Sequence, residues 1–384
     1  MGEDELRFDR YECFVVSHEL NPRTGPSIAF STTHAYVVVK VTDSDGNVGW
    51  GETYRVPGVL DSITEVLENL AGTDGSLRSL KRAARWSADG LHGGGFATSA
   101  IGLALEDLRA RQLGISVAEM LGGPMRERVR MYAASGGYVE GLPPEETWFE
   151  ELDRIREAGF TAWKLRIGGY SIDHETPLLE RVRSEAGDDF TLLADGNAAY
   201  TFKEAVRMGR VMERLGFGWY EEPMQQRDGY VGYDRLQREL EVPLAGGEGI
   251  MTATRARQFF EMHAVDIVQP DPVIAGGAGD ALAMADLAAL YGIVSTPHTS
   301  NSAIGIAAAL QVISCLPPYT RSPATIEPLL EYGVDDSPWR RALLKEDFEI
   351  SDGWVRIPDG PGFGIDIDED HLVAVAVERV AGPR

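Results

Sequence analysis

Between Leu192 and Glu327 the chain repeats one arrangement six times: a short apolar run that ends on an acid or an imidazole. The runs are LLADGN with Asp195, GWYEEP with Glu221, PLAGGE with Glu248, DIVQPD with Asp271, VSTPH with His298 and ATIE with Glu327. Successive intervals are 26, 27, 23, 27 and 29 residues. A strand of about five residues, two short loops and a helix of about 11 to 12 residues add up to roughly that repeat. Consecutive units of this kind close into a parallel barrel whose strand ends open on one rim, where the six groups would converge.

A single acid after a strand is often only the N-cap of the next helix. Six in register are harder to explain that way. Three carboxylates on neighbouring strand ends cannot all stay ionised in a cleft without a cation, because their repulsion raises at least one pKa. Mg²⁺ accepts all-oxygen ligation and keeps positions for substrate. Asp195, Glu221 and Glu248 are therefore read as metal ligands, and Asp271 with His298 as an acid-base pair.

The chain has 384 residues, enough for a barrel of about 250 residues and one smaller domain. A net charge of −24 argues against nucleic acid and against an anionic membrane as partners. Lysine is confined to Lys40, Lys81, Lys164, Lys203 and Lys345, the other cations being arginine. An acid-rich, lysine-poor surface suits concentrated salt and reads as a halophile signature. Cys13 and Cys315 lie in apolar contexts without metal spacing and are expected to be packing residues. No leader pattern opens the chain and no apolar run reaches about 18 residues, so a soluble, cytoplasmic protein is expected.

Residues 35 to 52 predict a hairpin turning at Asp45-Gly46-Asn47, preceded by a loop over 20 to 31. Helical patterns begin at Asp61 and again over 97 to 112, giving an α+β unit over 1–125. The barrel is placed at 126–330 and the tail, 331–384, is expected to return to the N-terminal unit. Barrel helices are predicted over 145–158, 175–186, 202–215, 230–239, 253–263, 279–291 and 302–316. In TAWKLRIG, Lys164 and Arg166 alternate with Trp163, Leu165 and Ile167, so period 2 puts both cations on one strand face. In a barrel that inward face is the site.

These residues resemble the enolase superfamily, in particular its mandelate racemase group. The resemblance rests on the GWGE hairpin end, Leu-Gly-Gly before the first strand, Lys-x-Arg, Asp-Gly-Asn, Glu-Glu-Pro, Gly-Glu, Gln-Pro-Asp, Pro-His and a Pro-Gly-x-Gly tail. It covers nearly the whole chain. It implies an α/β fold, a modified TIM barrel of seven βα units plus a final strand under an α+β capping domain, and a homo-oligomer between dimer and octamer. It also implies Mg²⁺ and removal of the proton next to a carboxylate to give an enediolate. Asp195, Glu221 and Glu248 take the ligand positions, leaving Glu222 behind them. His298 and Asp271 take the dyad, and Glu327 the final-strand acid.

Such a proton is too weakly acidic for any side-chain base unless the developing charge is neutralised as it forms. Metal on one side and Lys164 on the other supply that charge, and Glu327, if protonated, donates a hydrogen bond. Asp271 holds the His298 tautomer. Arg166 departs from the family's racemases, which carry a lysine base there, and its pKa is too high for a base. One competent base fits elimination of water from a sugar acid to a 2-keto-3-deoxy acid. Racemisation, epimerisation or cycloisomerisation in the same site, and a barrel that binds a sugar acid and Mg²⁺ without turnover, are the alternatives. The capping loops, about 17–31 and 53–60, are expected to select the substrate through His18, Asn21, Arg23 and Tyr54, with Asn197 a further contact. The other histidines, His34, His92, His174, His263 and His371, are assigned no chemistry.

Overall fold

The computed structural model describes residues 5–27, 29–226, 229–318, 327–334 and 337–383. The chain begins with β1 (Arg10–Gly25), β2 (Ser31–Thr42) and β3 (Val48–Tyr54), followed by α1 (Val59–Leu70), α2 (Leu77–Ala88), α3 (Gly94–Leu113) and the short α4 (Val117–Met120). The strands form an antiparallel sheet packed on α1, α2 and α3 through one apolar core that includes Val37, Val39, Ile63, Leu67, Ala104 and Leu108. Helix α2 is an addition to the sequence reading. Its buried stripe is only Leu80, Ala84 and Ala88, too narrow to stand out among four basic residues.

The predicted loop over 20 to 31 is instead mostly strand. β1 runs on past an irregularity after Glu19, and Thr24 pairs both with Ser31 and with Val139 of the barrel. Its end reaches over the barrel, where the Ser27 hydroxyl donates to the Gly196 carbonyl at 3.1 Å.

The barrel then follows as β4 (Arg128–Ala134), the two-residue β5 (Tyr138–Val139), α5 (Pro144–Glu157), β6 (Ala162–Arg166), α6 (Ile172–Ala186), β7 (Thr191–Asp195) and α7 (Phe202–Arg214). It continues with β8 (Tyr220–Glu221), α8 (Tyr233–Glu239), β9 (Leu244–Gly246), α9 (Ala253–Glu261), β10 (Ile267–Val268), α10 (Ala278–Ala289), β11 (Val294–Ser295), α11 (Ala303–Cys315) and β12 (Leu329–Gly333). Strands β4, β6, β7, β8, β9, β10 and β11 are hydrogen-bonded in that order and parallel, and β12 returns to pair with β4. Seven βα units and a final strand result.

Beyond them, β13 (Ile350–Ser351) and β14 (Trp354–Arg356) form a hairpin that lies on the barrel, with Trp354 opposite Arg130 and under the Arg128 and Arg130 guanidiniums. Only after α12 (Glu369–Val375) does β15 (Glu378–Gly382) pair with β1 of the capping sheet. No helix among the described residues is long and apolar enough to cross a membrane.

The barrel interior is plugged by Tyr132, Ala162, Leu193, Trp219, Ala245 and Ile267. Tyr132 meets Trp219 edge to face, centroids 5.2 Å apart, a geometry that adds about 0.5–1.5 kcal/mol to the area they bury. Both rings are amphipathic, and their polar tips point to the same place. Tyr132 Oη donates to Glu331 Oε2 at 3.0 Å and Trp219 Nε1 to Glu221 Oε2 at 3.1 Å. The plug is thus also the floor of the site.

The GWGE motif acquires a physical reason at the junction of the two units. A Cβ on Gly49 or Gly51 would overlap the carbonyl oxygens of Ala104 and Ala100, so only glycine lets α3 lie directly on β3. Alternation sends Trp50 and Glu52 to the other face, toward the barrel. Trp50 joins the core shared with the barrel, and the buried Glu52 carboxylate accepts from the backbone nitrogen of Ser302, 2.9 Å, at the start of α11.

Candidate active site at the barrel mouth

Each predicted group that ends a described strand arrives at the mouth by register and alternation. Arg166 pairs with Asp195 and Asp195 with Glu221 across adjacent parallel strands, which keeps their side chains on one level. Lys164, one step deeper on the same face as Arg166, is 3 % exposed. Its ammonium lies 2.7 Å from Glu221 Oε1, 2.8 Å from Glu331 Oε1 and 4.0 Å from Asp195 Oδ2. Burial alone would lower its pKa, but Glu221, Glu331 and Asp195 together outweigh that and hold it above the usual lysine value.

Glu331 was not anticipated, and it occupies the place expected for Glu327. The Glu327 side chain is 55 % exposed and faces Arg126 at 3.4 Å, away from the other site groups. The physical reason is the strand itself. Leu329–Gly333 buries Leu330 and Tyr332 on one side and turns Glu331 inward between them, whereas Glu327 precedes the strand. The expected protonated donor is corrected as well. Burial works to raise the Glu331 carboxyl, yet Lys164 and then His298 hold it down to about 2, so it stays ionised.

Glu221 is buried and fully engaged. Besides Lys164 and Trp219 it accepts from Gln269 Nε2 at 2.7 Å, a contact the sequence reading missed although Gln269 lies just past β10 and two residues before Asp271. Its pKa is raised to about 7: burial is the largest cause, Lys164 opposes it, and Asp195, Glu331 and Glu248 add to it. Glu222 turns away at φ 36° and accepts from Tyr230 Oη at 2.8 Å and Gly247 N at 3.2 Å. Burial, then Glu248 and Asp195, raise it well above an ordinary carboxyl.

Asp195 accepts from Asn197 N at 2.9 Å, and Arg166 Nη1 lies 3.5 Å from it and donates to Asn197 Oδ1 at 2.6 Å. The Arg166 side chain, 29 % exposed, stands at the open edge of the mouth.

On the far side, His298 Nδ1 is 2.9 Å from Asp271 Oδ2, and Nε2 is 3.4 Å from Glu248 Oε2. Burial disfavours the imidazolium, but Glu248, Glu331 and Asp271 outweigh it and hold the pKa well above 6.5. Asp271 is closed off by further donors, Val273 N at 2.9 Å, Asn301 Nδ2 at 3.2 Å and Tyr54 Oη at 3.0 Å.

Of the four capping residues expected at the substrate, Tyr54 reaches the mouth, but its hydroxyl is given to Asp271. The other three are not drawn in. Arg23 pairs with Glu140, Asn21 is exposed, and His18 lies in the ladder opposite His34. Both cysteines are free.

The donor chemistry fits a hard divalent cation. Asp195 and Glu248 raise the pKa of Glu221 and that of Glu222, and Lys164 and Arg166 are the cations beside them. Among the described residues no three acid, thiol or imidazole groups already surround one point at ligand distances. Each carboxylate is drawn instead to a protein partner: Glu221 to Lys164, Asp195 to Asn197 and Arg166, Glu248 to His298.

Comparison with known proteins bears on what this arrangement serves. Residues 11–122 match the mandelate racemase / muconate lactonizing enzyme N-terminal domain, and residues 148–371 the enolase C-terminal domain-like family. D-galactarolactone cycloisomerase of Agrobacterium fabrum is 33 % identical over 93 % of this chain and 96 % of its own length. Arabinonate dehydratase of Saccharolobus solfataricus is 31 % identical over 86 % of this chain and 88 % of its own. The crystal structure of L-talarate/galactarate dehydratase from Salmonella typhimurium, liganded with Mg and L-lyxarohydroxamate, superimposes with a TM-score of 0.85. It is 25 % identical, over 100 % of this chain and 95 % of that one. The chain is an enzyme and belongs to the mandelate racemase and muconate lactonizing enzyme family of the enolase superfamily.

Proposed function

We propose that the enzyme is a Mg²⁺-dependent dehydratase of an aldonic or aldaric acid. The observation that carries this reading is the asymmetry of the mouth. His298, backed by Asp271 at 2.9 Å, offers Nε2 on one side, while the opposite strand offers Arg166, a cation already engaged with Asn197 and Asp195. One face has a base and the other has none at neutral pH.

In this reading Asp195, Glu221 and Glu248 hold the ion, which when bound supplies positive charge for the carboxylate oxygens of the substrate. Lys164 brings a second fixed charge to the same oxygens. With the Glu248 charge neutralised, the imidazolium loses the first of the charges that favour it, and Nε2 is freer to accept a proton. Nδ1–H remains committed to Asp271, so the proton taken from C2 goes to Nε2. The C2–H electron pair passes toward the carboxylate oxygens that Lys164 faces, and then returns to form the C2–C3 double bond as the C3–O bond breaks. The proton on Nε2 then leaves with that oxygen as water, and the enol formed tautomerises to the 2-keto-3-deoxy acid. General acid-base assistance of this type contributes roughly 10² to 10⁴ in rate.

The test is a panel of four- to six-carbon aldonic and aldaric acids incubated with Mg²⁺ in high salt and assayed for 2-keto-3-deoxy product. Absence of keto acid across the panel would remove the reading. The likeness to a galactarolactone cycloisomerase favours one second reading, in which the expelled oxygen belongs to a ring and nothing is lost. Product of unchanged mass from a sugar lactone, against product lighter by one water from an open-chain acid, separates the two.

A further inference from the structure

We propose that Tyr54, carried by the capping sheet, is a positioning residue for the Asp271–His298 pair, fixing the carboxylate that in turn fixes the imidazole. The inference rests on the reading of His298 as the base. Asp271 presents two oxygens with about four lone-pair directions. Val273 N and Asn301 Nδ2 take Oδ1, at 2.9 and 3.2 Å, while His298 Nδ1 and Tyr54 Oη share Oδ2, at 2.9 and 3.0 Å. The carboxylate is therefore saturated and cannot turn. Three of these donors belong to the barrel loops that also carry the pair, and they move with it. Tyr54 arrives from β3 and ties Oδ2 to the capping sheet.

Its neighbours make the same attachment. Tyr36 Oη donates to the Ser300 carbonyl at 2.8 Å, Thr53 Oγ1 to the Val273 carbonyl at 2.8 Å, and Glu52 accepts from Ser302 N and its hydroxyl. Ser300 and Ser302 lie just past His298, and Val273 just past Asp271, so four capping residues grip the two loops on which the pair stands. Tyr54 differs from the others in touching the pair itself. Its ring is braced by Tyr36 and Phe96, centroids 5.9 and 6.5 Å away, which keeps the hydroxyl aimed without help from a substrate. A phenol has one proton to give, and here it goes to Asp271. That assigns Tyr54 to the pair rather than to the substrate hydroxyls.

Tyr54→Phe keeps the ring packing and deletes the one bond. Thr53→Val is its control, because it cuts a capping-to-barrel bond on the same strand without touching Asp271. Steady-state kinetics with Mg²⁺ are read beside the downfield proton resonance of the His298 Nδ1–H, assigned by its absence in His298→Asn. In Tyr54→Phe, kcat is expected to fall about tenfold with KM nearly unchanged, as for loss of a partner that orients a reacting group. The resonance is expected to shift, whereas Thr53→Val, which slackens the loop but leaves Asp271 its four donors, is expected to keep the resonance in place and most of its kcat. The proposal is overturned by a rise in KM at unchanged kcat, which makes Tyr54 a substrate contact. It is overturned equally by matching losses in Thr53→Val, or by an unmoved resonance. Should the wild type turn over none of the acids, the resonance alone still decides the positioning role, and the dehydratase reading fails separately.

Discussion

The two walls of the mouth are built on different principles. On the wall formed by β6, β7, β8 and β12, charge is balanced inside the barrel: Lys164 sits between Glu221 and Glu331, and Tyr132, Trp219, Gln269 and Thr299 add further donors to these two acids. No capping residue among those described completes this set. On the wall formed by the ends of β10 and β11, Asp271 and His298 are steadied by Tyr54, and the loops around them by Tyr36, Glu52 and Thr53, all from the other unit. A buried ammonium needs opposite charge within contact distance, which barrel neighbours provide automatically. An imidazole that must take and release a proton needs a fixed direction instead, and a second structural unit can impose one.

The largest effect that would sharpen this contrast is His298→Asn. Turnover and solvent deuterium exchange at C2 should fall by roughly 10³ or more, while Mg²⁺ binding followed by calorimetry changes little. Exchange persisting in the variant would move the base to the other wall and break the comparison.

Next in size is Lys164→Met, which leaves two buried acids facing each other. Removing one partner of a buried pair costs roughly 3–5 kcal/mol, so chemical unfolding should register a loss of that order. Unchanged stability would mean that the ammonium is not what balances this wall.

The same wall makes a pH prediction. Glu331 titrates lower when folded, at about 2, than in the unfolded chain at about 4.5, so the unfolded state binds the proton first. Its contribution is complete above pH 4.5 and is lost as pH falls toward 2, a loss on the order of 3 kcal/mol. Urea denaturation at stepped pH should show that loss in the wild type and much less of it in Lys164→Met. An equal acid response in both would sink the assignment.

The smallest effect compares the ligands themselves. Glu221→Gln should weaken Mg²⁺ and also loosen Lys164, whereas Glu248→Gln should weaken Mg²⁺ without the stability loss, because Glu248 is partly exposed and its ion-pair partner is the imidazole. Titrations unmoved in both would remove the ligand set.

What the sequence disclosed follows from which interactions are periodic. Asp195, Glu221, Asp271 and His298 recur once per strand-helix unit, and Lys164 and Arg166 alternate along one strand, so local spacing places them. Glu331 escaped because Glu327, at the end of the apolar run ATIE, fits the repeat of acids that close such runs. The acid in LLEYG sits mid-strand, where only the alternation of Leu330 and Tyr332 around it marks the inward face. Gln269 was overlooked for a related reason, as an uncharged residue beside a more conspicuous Asp271. The capping contacts were out of reach altogether, since Tyr36 and Glu52 acquire their partners through the packing of two units separated by more than two hundred residues. Arg23 illustrates the converse. In a chain with 60 acids, a polar loop arginine readily finds a carboxylate, here Glu140, before it finds a ligand.

Strand β3 looks both ways, with glycines 49 and 51 against α3 and Trp50, Glu52 and Tyr54 toward the barrel, and its phase is set by the turn before it. Asp43 closes that turn by accepting from Asp45 N, Asn47 N and the Asn47 side-chain amide, and Gln112 of α3 holds the same carboxylate at 2.9 Å. Adding or deleting a single residue between 43 and 48 would therefore exchange the two faces. Bulky side chains would be driven into α3 while glycines faced His298, so an indel at a solvent-facing hairpin tip, ordinarily a harmless place for one, would here cost both assembly of the small domain and alignment of the distant imidazole.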